Sequence, residues 1–387
     1  MSDNGFRPTP IDFNHAPFLV LWELTRACAL ACKHCRAKAQ PDRDPCELNI
    51  ADCKAMLDEM KEFGKPLIVL TGGDPAMRPD LFEIIHEIRS RGFSVAMTPS
   101  ATPQITRDTI KRLKEAGLSR LAISIDAPRK QEHDRFRGVE GSFFQSMEII
   151  DWASQESIPV QINTTICSDN INLFDDMARL VEELKAVLWS VFFLVPVGRA
   201  SNQMQISPSQ AEHVMIKMSR ISQSASFDIK STAAPQFRRV LMQRSEAAAF
   251  SNDWAVTSDL SKLESVLRLG ALRSYGSVND GKGLIFVSHT GDVMPSGFLP
   301  LTTGNVKVDS LVDLYRDAPI FTELRDSTML KGKCGACRYR SICGGSRARA
   351  FAASGDYMTE DPLCLYRDRK YSCALSDSLD TSMAFKK

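Results

Sequence analysis

"FLVLWELTRACALACKHCRAKA", residues 18–39, runs from an apolar stretch straight into three cysteines at 28, 32 and 35. Residues 18–24 read as a strand, and a nearly unbroken apolar run of this length is typical of a strand covered on both faces, as in a parallel sheet. In such sheets the functional loops leave the carboxyl ends of the strands, which is where the cysteine segment falls. Three thiols within eight residues are an odd number for disulfides and one short of a structural zinc site.

Five further strand candidates follow: "PLIVLTG" (66–72), "FSVAMTP" (93–99), "RLAISID" (120–126), "PVQINTTI" (159–166) and "LWSVFFLV" (188–195). Amphipathic stretches lie between them, among them "IADCKAMLDEMKEFG" (50–64), "PDLFEIIHEIRSRG" (79–92) and "TRDTIKRLKEAG" (106–117). Each of these three ends in Gly, a normal helix stop. Strands alternating with helices give parallel βαβ units. Six units predict an α/β fold, either a curved (β/α)6 partial barrel or an open doubly wound sheet.

After residue 200 the alternation fades, and 201–282 reads as a helical connecting region. "GLIFVSHTGDVMPSGF" (283–298) looks like a hairpin turning near Thr290-Gly291-Asp292. The expected divisions are an extension at 1–17, a core at 18–200, the connecting region, a C-terminal cysteine domain at 283–373 and a mobile tail at 374–387.

The chain has 387 residues, 43% hydrophobic and 25% charged, with a net charge of +1. That balance offers no global field for nucleic acid or an acidic membrane, so any anion recognition is local. "MSDNGFRPTPIDF" does not read as a secretory signal. The longest apolar run, "AVLWSVFFLVPV" (186–197), is too short to span a bilayer. The expectation is a cytoplasmic protein whose eleven cysteines serve metal or redox chemistry rather than disulfides.

Cys28, Cys32 and Cys35 can converge on one small object. Zinc completed by His34 is one occupant; a [4Fe-4S] cluster with one iron left open is the other, and spacing alone leaves both open. "LTGGDP" (70–75), at the end of the second strand, is a loop where backbone can approach a ligand, or simply a tight turn. Together the two segments resemble the radical SAM superfamily and its (β/α)6 partial TIM barrel. The resemblance implies that the open iron chelates S-adenosylmethionine (SAM) and that Gly72, Gly73 and Asp74 form the loop contacting its amino group. Asp74 stands where Glu is usual, and His34 where many members carry an aromatic residue. "AISIDAP" (122–128) and "EHDRFRGVEGSF" (132–143) resemble later family segments. They make Ser124 and Arg137 candidates to hold the SAM carboxylate, and Asn163 a candidate for ribose or methionyl contacts.

Cys334, Cys337, Cys343 and Cys364 form a second set that suits either a zinc ribbon or a cluster. They resemble the SPASM domain that ends many radical SAM enzymes and holds auxiliary clusters. Ser296 and Arg347 stand where fuller versions have cysteines, which implies one auxiliary [4Fe-4S] cluster with four protein ligands. Cys46, Cys53, Cys167 and Cys373 are assigned no role.

"TRACALACKHCRA" (25–37), "GKGLIFVSHTGDVMPSGFLPL" (281–301) and "KCGACRYRSICGGSRARA" (333–350) resemble the haem and d-type haem branch of the superfamily. That branch acts on tetrapyrrole propionates. Carboxylates of that kind want bidentate arginines, and Arg347, Arg349, Arg238 and Arg239 are the candidates. The resemblance implies reductive cleavage of SAM to a 5′-deoxyadenosyl radical, with flavodoxin or ferredoxin as donor. Hydrogen abstraction from a propionate β-carbon, then loss of CO2 and one electron, would leave a vinyl group. No acid–base dyad is needed, and the chemistry is the cofactors' own. The alternatives are a SPASM peptide maturase, for which residues 1–17 leave no room for a leader-binding domain, and a non-catalytic zinc-binding module.

Overall fold

The computed structural model of the protein describes residues 12–250 and 278–367. Cys373, the tail at 374–387, most of the N-terminal extension and part of the connecting region lie outside the described residues.

The six expected strands form, as β1 (Leu19–Thr25), β2 (Leu67–Gly72), β3 (Ser94–Met97), β4 (Arg120–Ser124), β5 (Val160–Ile166) and β6 (Leu188–Phe193). They pair in parallel and in chain order, as βαβ units require. Two of the intervening helices begin at side-chain caps. Asn49 Oδ1 accepts from the Ala51 and Asp52 amides at 2.8 and 3.0 Å, and the Asp52 carboxylate accepts from the Asn49 amide at 3.0 Å. Thr106 caps the helix Arg107–Glu115, accepting from the Thr109 amide at 3.1 Å.

The sheet extends past six strands on both sides. Residues 201–282 are not wholly helical: β7 (Asp228–Thr232) pairs parallel to β6, between the helices Pro208–Ile221 and Gln236–Phe250. The hairpin of β8 (Leu284–Val287) and β9 (Asp292–Met294) forms as expected, but β8 pairs parallel to β1, so the C-terminal segment completes the same sheet. With β10 (Gly304–Asn305) the order is β10-β9-β8-β1-β2-β3-β4-β5-β6-β7, an open sheet with β10 and β7 at its edges.

One face of this sheet packs under the helices. Trp22, Leu70, Val95, Ile123, Ile162, Trp189, Ile229 and Ile285 join one buried apolar cluster. Side chains alternate along a strand, so Glu23, Ser124, Asn163, Ser190 and Lys230 point to the other, inner face of the open barrel. Among the described residues no helix is long and apolar enough to cross a membrane.

Candidate metal and cofactor site

The three-cysteine loop leaves β1 and is closed at its base by a bridge between Ala27 and Gln40. The Cys28 amide donates to Gln40 O at 2.8 Å, and the Gln40 amide to Arg26 O at 3.0 Å. Cys28 and Cys32 are buried together around Leu30, with Cys35 partly buried beside them. None of the three is in a disulfide. Cys28 Sγ lies 3.3 Å from Ser100 Oγ and accepts from the Leu30 amide at 3.3 Å. Burial pushes the Cys28 thiol above its ordinary range. A bound cationic cluster would offset that cost by taking the thiolate as a ligand, so the donor set fits such a group. The His34 ring lies against Phe136, with centroids 4.4 Å apart.

The close approach that Gly72 and Gly73 permit is to the chain's own backbone. A Cβ on Gly73 would stand 2.4 Å from Ala27 O and 2.5 Å from Arg26 O, the base of the cysteine loop. The Gly73 and Asp74 amides donate to Thr25 O and Ala27 O, each at 2.7 Å. The buried Asp74 carboxylate accepts from Thr102 Oγ1 at 2.7 Å and from the Ala76 and Ser100 amides at 3.1 and 3.3 Å. Burial raises its pKa despite these bonds. The two loops are therefore one rigid unit. Gly73→Val is expected to displace the cysteine loop, lowering iron content at this site and SAM cleavage by roughly tenfold or more. Normal iron content in a folded variant would show that the contact is dispensable.

The structure brings Arg137 to the same loop. Its Nη1 donates to Cys32 Sγ at 3.7 Å and its Nη2 pairs with buried Asp126 at 2.6 Å. Ser124 and Asn163 stand side by side on β4 and β5, away from the loop's hydrogen bonds; Asn163 Oδ1 accepts from Gln161 Nε2 at 2.7 Å.

Sequence reading missed several supports. Ser100 joins the two loops, since its hydroxyl also donates to Gly73 O at 2.8 Å. Gly198, with φ +71°, lets the chain beyond β6 press against the loop: a Cβ there would lie 2.3 Å from Cys35 O. Glu23, fully buried on β1, pairs with Arg36 at 2.7 Å, Arg26 at 3.1 Å and His289 at 3.0 Å. Burial opposes its charge, but the Arg36 guanidinium, the His289 hydrogen bond and Arg26 together hold it down at about 2. The legible signal was a lone carboxylate in the apolar run "FLVLWEL".

Cys334, Cys337, Cys343 and Cys364 line one cavity, with Lys333, Tyr339 and Tyr366. Burial pushes Cys343 up to about 12 and Cys364 to about 11, again a cost that bound metal would relieve. Among the described residues no three His, Cys, Asp or Glu side chains converge as they would on a single metal ion. Four thiols lining one cavity are a donor set that fits a thiolate-ligated metal group.

The four arginines expected to receive substrate carboxylates each bond groups of the chain itself. Arg347 is buried, donating to Tyr357 O at 2.8 Å, Thr359 O at 2.7 Å and Cys334 Sγ at 3.7 Å. Arg349 is buried, donating to Phe193 O at 2.9 Å, Leu194 O at 3.2 Å and Ala233 O at 2.8 Å, and pairing with Asp361 at 3.3 Å. Arg239 pairs with Glu212, and Arg238 donates to Val278 O at 2.6 Å and Ile342 O at 3.2 Å. Each guanidinium bonds the chain, while Nε of Arg239 and of Arg349 is buried without a partner. Arg349 instead staples the four-cysteine segment to the ends of β6 and β7.

An open parallel barrel with a thiol loop and a glycine loop at its carboxyl face defines an enzyme core that works through a bound cofactor. The sequence profile of the radical SAM superfamily matches residues 22–183. The AdoMet-dependent heme synthase of Nitratidesulfovibrio vulgaris is 40% identical over 91% of this chain and 93% of its own. The protein of the same name from Methanosarcina barkeri is 35% identical over 93% and 99%. A solved structure of native anSMEcpe with bound AdoMet shares the fold, with a TM-score of 0.67 at 14% identity, covering 94% of this chain and 99% of that one. The chain belongs to the radical SAM superfamily, enzymes that bind a [4Fe-4S] cluster and SAM.

Proposed function

We propose that this enzyme oxidatively decarboxylates propionate side chains of a tetrapyrrole in haem synthesis, using two [4Fe-4S] clusters and SAM. The observation that carries the reading is that both thiol sets stand at one face of the barrel. One follows the carboxyl end of β1; the other is tied by Arg349 to the carboxyl ends of β6 and β7. A substrate on the inner face between them is within reach of both. Likeness to AdoMet-dependent heme synthases along nearly the whole chain supports the substrate class.

Cys28, Cys32 and Cys35 would hold the SAM-cleaving cluster, and Cys334, Cys337, Cys343 and Cys364 the auxiliary one. When bound, the first cluster and SAM supply one-electron, hydrogen-abstracting chemistry. The chain's part is placement. The Gly72-Gly73-Asp74 loop fixes the cysteine loop and borders the SAM site, with Arg137 presenting its guanidinium beside Cys32. Ser124 and Asn163 lie on the inner face for SAM's polar groups. Helices cover the outer face and keep water from it, and residues 283–367 supply β8 to β10 of the sheet and the four-cysteine segment that resembles a SPASM unit. An acidic one-electron carrier of the flavodoxin or ferredoxin kind would supply the reducing electron.

Anaerobic incubation of reconstituted protein with SAM, dithionite and iron-loaded porphyrin propionates, followed by mass spectrometry, tests the reading. The expected result is 5′-deoxyadenosine together with stepwise loss of CO2 and hydrogen from the porphyrin. 5′-Deoxyadenosine with every porphyrin left unchanged would overturn the substrate assignment.

A further inference from the structure

Each thiol set has an arginine on a cysteine sulfur, and the two arginines differ in what balances their charge. At the first set Arg137 donates to Cys32 Sγ at 3.7 Å, and buried Asp126 pairs with the same guanidinium at 2.6 Å. At the second set Arg347 Nη2 donates to Cys334 Sγ at 3.7 Å. The other bonds of Arg347 run to neutral carbonyls: Nε to Gly345 O at 3.2 Å, and Nη1 to Tyr357 O at 2.8 Å and Thr359 O at 2.7 Å. Among the described residues no carboxylate lies within ion-pair distance of Arg347. Asp356 feels its charge but pairs with Lys331 at 2.7 Å.

Arg347 opens the helix Arg347–Ser354 and is 2% exposed. A guanidinium does not shed its proton in a protein, so burial leaves it in need of an anion. Arg349, two residues on, has Asp361 for that purpose at 3.3 Å. For Arg347 the bonded atom able to carry negative charge is the Cys334 sulfur. That sulfur also accepts from the Asp361 amide at 3.5 Å. Gly345 keeps the two groups together, since a Cβ there would stand 2.6 Å from Arg347 Nη2 and 3.0 Å from Cys334 Sγ.

We infer that Arg347 is the counter-charge of the auxiliary cluster and raises its reduction potential above that of the SAM-cleaving cluster. The inference rests on the reading above that these four thiols hold a cluster. Net charge and hydrogen bonds to the sulfurs set the potential of an iron–sulfur site. A cation without a carboxylate, placed on a ligand sulfur, favours the form holding one more electron. At Cys32 the Asp126 carboxylate offsets that effect. The difference suits the two tasks, because the first site must give an electron to SAM. When a propionate radical loses CO2, the bond to its carboxylate breaks, a C=C bond forms and one electron leaves the substrate. The site biased by Arg347 takes up that electron, and a one-electron carrier in solution removes it before the next turnover.

The test is an anaerobic redox titration of the reconstituted full chain without SAM, followed by electron paramagnetic resonance of the reduced clusters. The triple variant Cys28→Ala, Cys32→Ala, Cys35→Ala assigns the auxiliary signal. Wild type should reduce its auxiliary cluster at the higher of the two potentials. Arg347→Gln keeps an N–H donor and loses the charge. It should weaken reduction of that cluster about tenfold or more, a fall of about 59 mV for one electron, and leave the SAM-cleaving cluster within about threefold of wild type. Arg347→Lys keeps the charge and should shift the same equilibrium by less than about threefold. A merely structural arginine would change the melting temperature without moving the potential. An unmoved potential in Arg347→Gln with its full iron content would overturn the inference alone. So would a wild-type auxiliary potential at or below that of the SAM-cleaving cluster, and this order decides the matter if Arg347→Gln loses the auxiliary irons. About four irons per wild-type chain in place of about eight would overturn the reading of a second cluster, and the inference with it.

Discussion

Cys28→Ala, Cys32→Ala and Cys35→Ala are each expected to abolish formation of 5′-deoxyadenosine under dithionite. The loss should be roughly a hundredfold or more, since removing even an outer-shell partner of a metal ligand costs about 10- to 100-fold. Two of these thiols are buried with Leu30, and the whole loop is clamped by the Ala27–Gln40 bridge, Gly73 and Gly198. Such a clamp keeps the remaining thiols in place when one is lost, so the variants should stay folded and differ in iron content and SAM cleavage. Chromatography of the nucleoside products checks this directly. Retained cleavage in the triple variant would move the SAM-cleaving site elsewhere.

The second large effect concerns Cys334, Cys337, Cys343 and Cys364. Replacing all four with Ser should remove about four irons per chain, the content of one [4Fe-4S] cluster. SAM cleavage should persist, because Asp74, Arg137 and the first thiol loop make no contact with this cavity. Product should disappear, leaving 5′-deoxyadenosine formation uncoupled from any change in the porphyrin. Folding has to be verified by circular dichroism, since ligation can hold a small segment together. Asp361 favours a folded variant: its buried carboxylate accepts from the Ser346 amide at 2.7 Å, Gln236 at 2.6 Å and the Leu363 amide at 2.9 Å. A folded variant that makes product at the normal rate would reduce the auxiliary cluster to a structural brace. One that cannot cleave SAM would undo the separation of the two sites.

The parts legible in the sequence are those written in short-range pattern. β1 to β6 are apolar runs of strand length, and three of the helices between them announce themselves as amphipathic stretches closed by Gly64, Gly92 and Gly117. The thiol loops are legible because a ligand set on one loop must be closely spaced. β7 was hidden for a physical reason. "DIKST" has a single large apolar residue, Ile229, because its other face meets the polar barrel interior rather than a helix layer. The burial of Arg347 and Arg349 was hidden too. Their partners are mostly backbone carbonyls, which every residue possesses and no local pattern marks. Long-range pairings such as Glu23 with His289 have no local signature beyond a charge where an apolar residue would serve.

The pairing of β1 with β8 has a consequence for how the chain is made. Leu19 and Leu284 are partners in register, so during synthesis β1 waits for a strand made much later in the chain. Until then β1 is an edge strand, with unpaired amides and carbonyls along an apolar stretch, the kind of edge that recruits other chains. Contacts this distant in sequence also form slowly. Expression of a barrel truncated before β8 should therefore give insoluble protein, even though every residue of the first thiol loop is present. Nascent chains would depend on chaperone protection over the same interval.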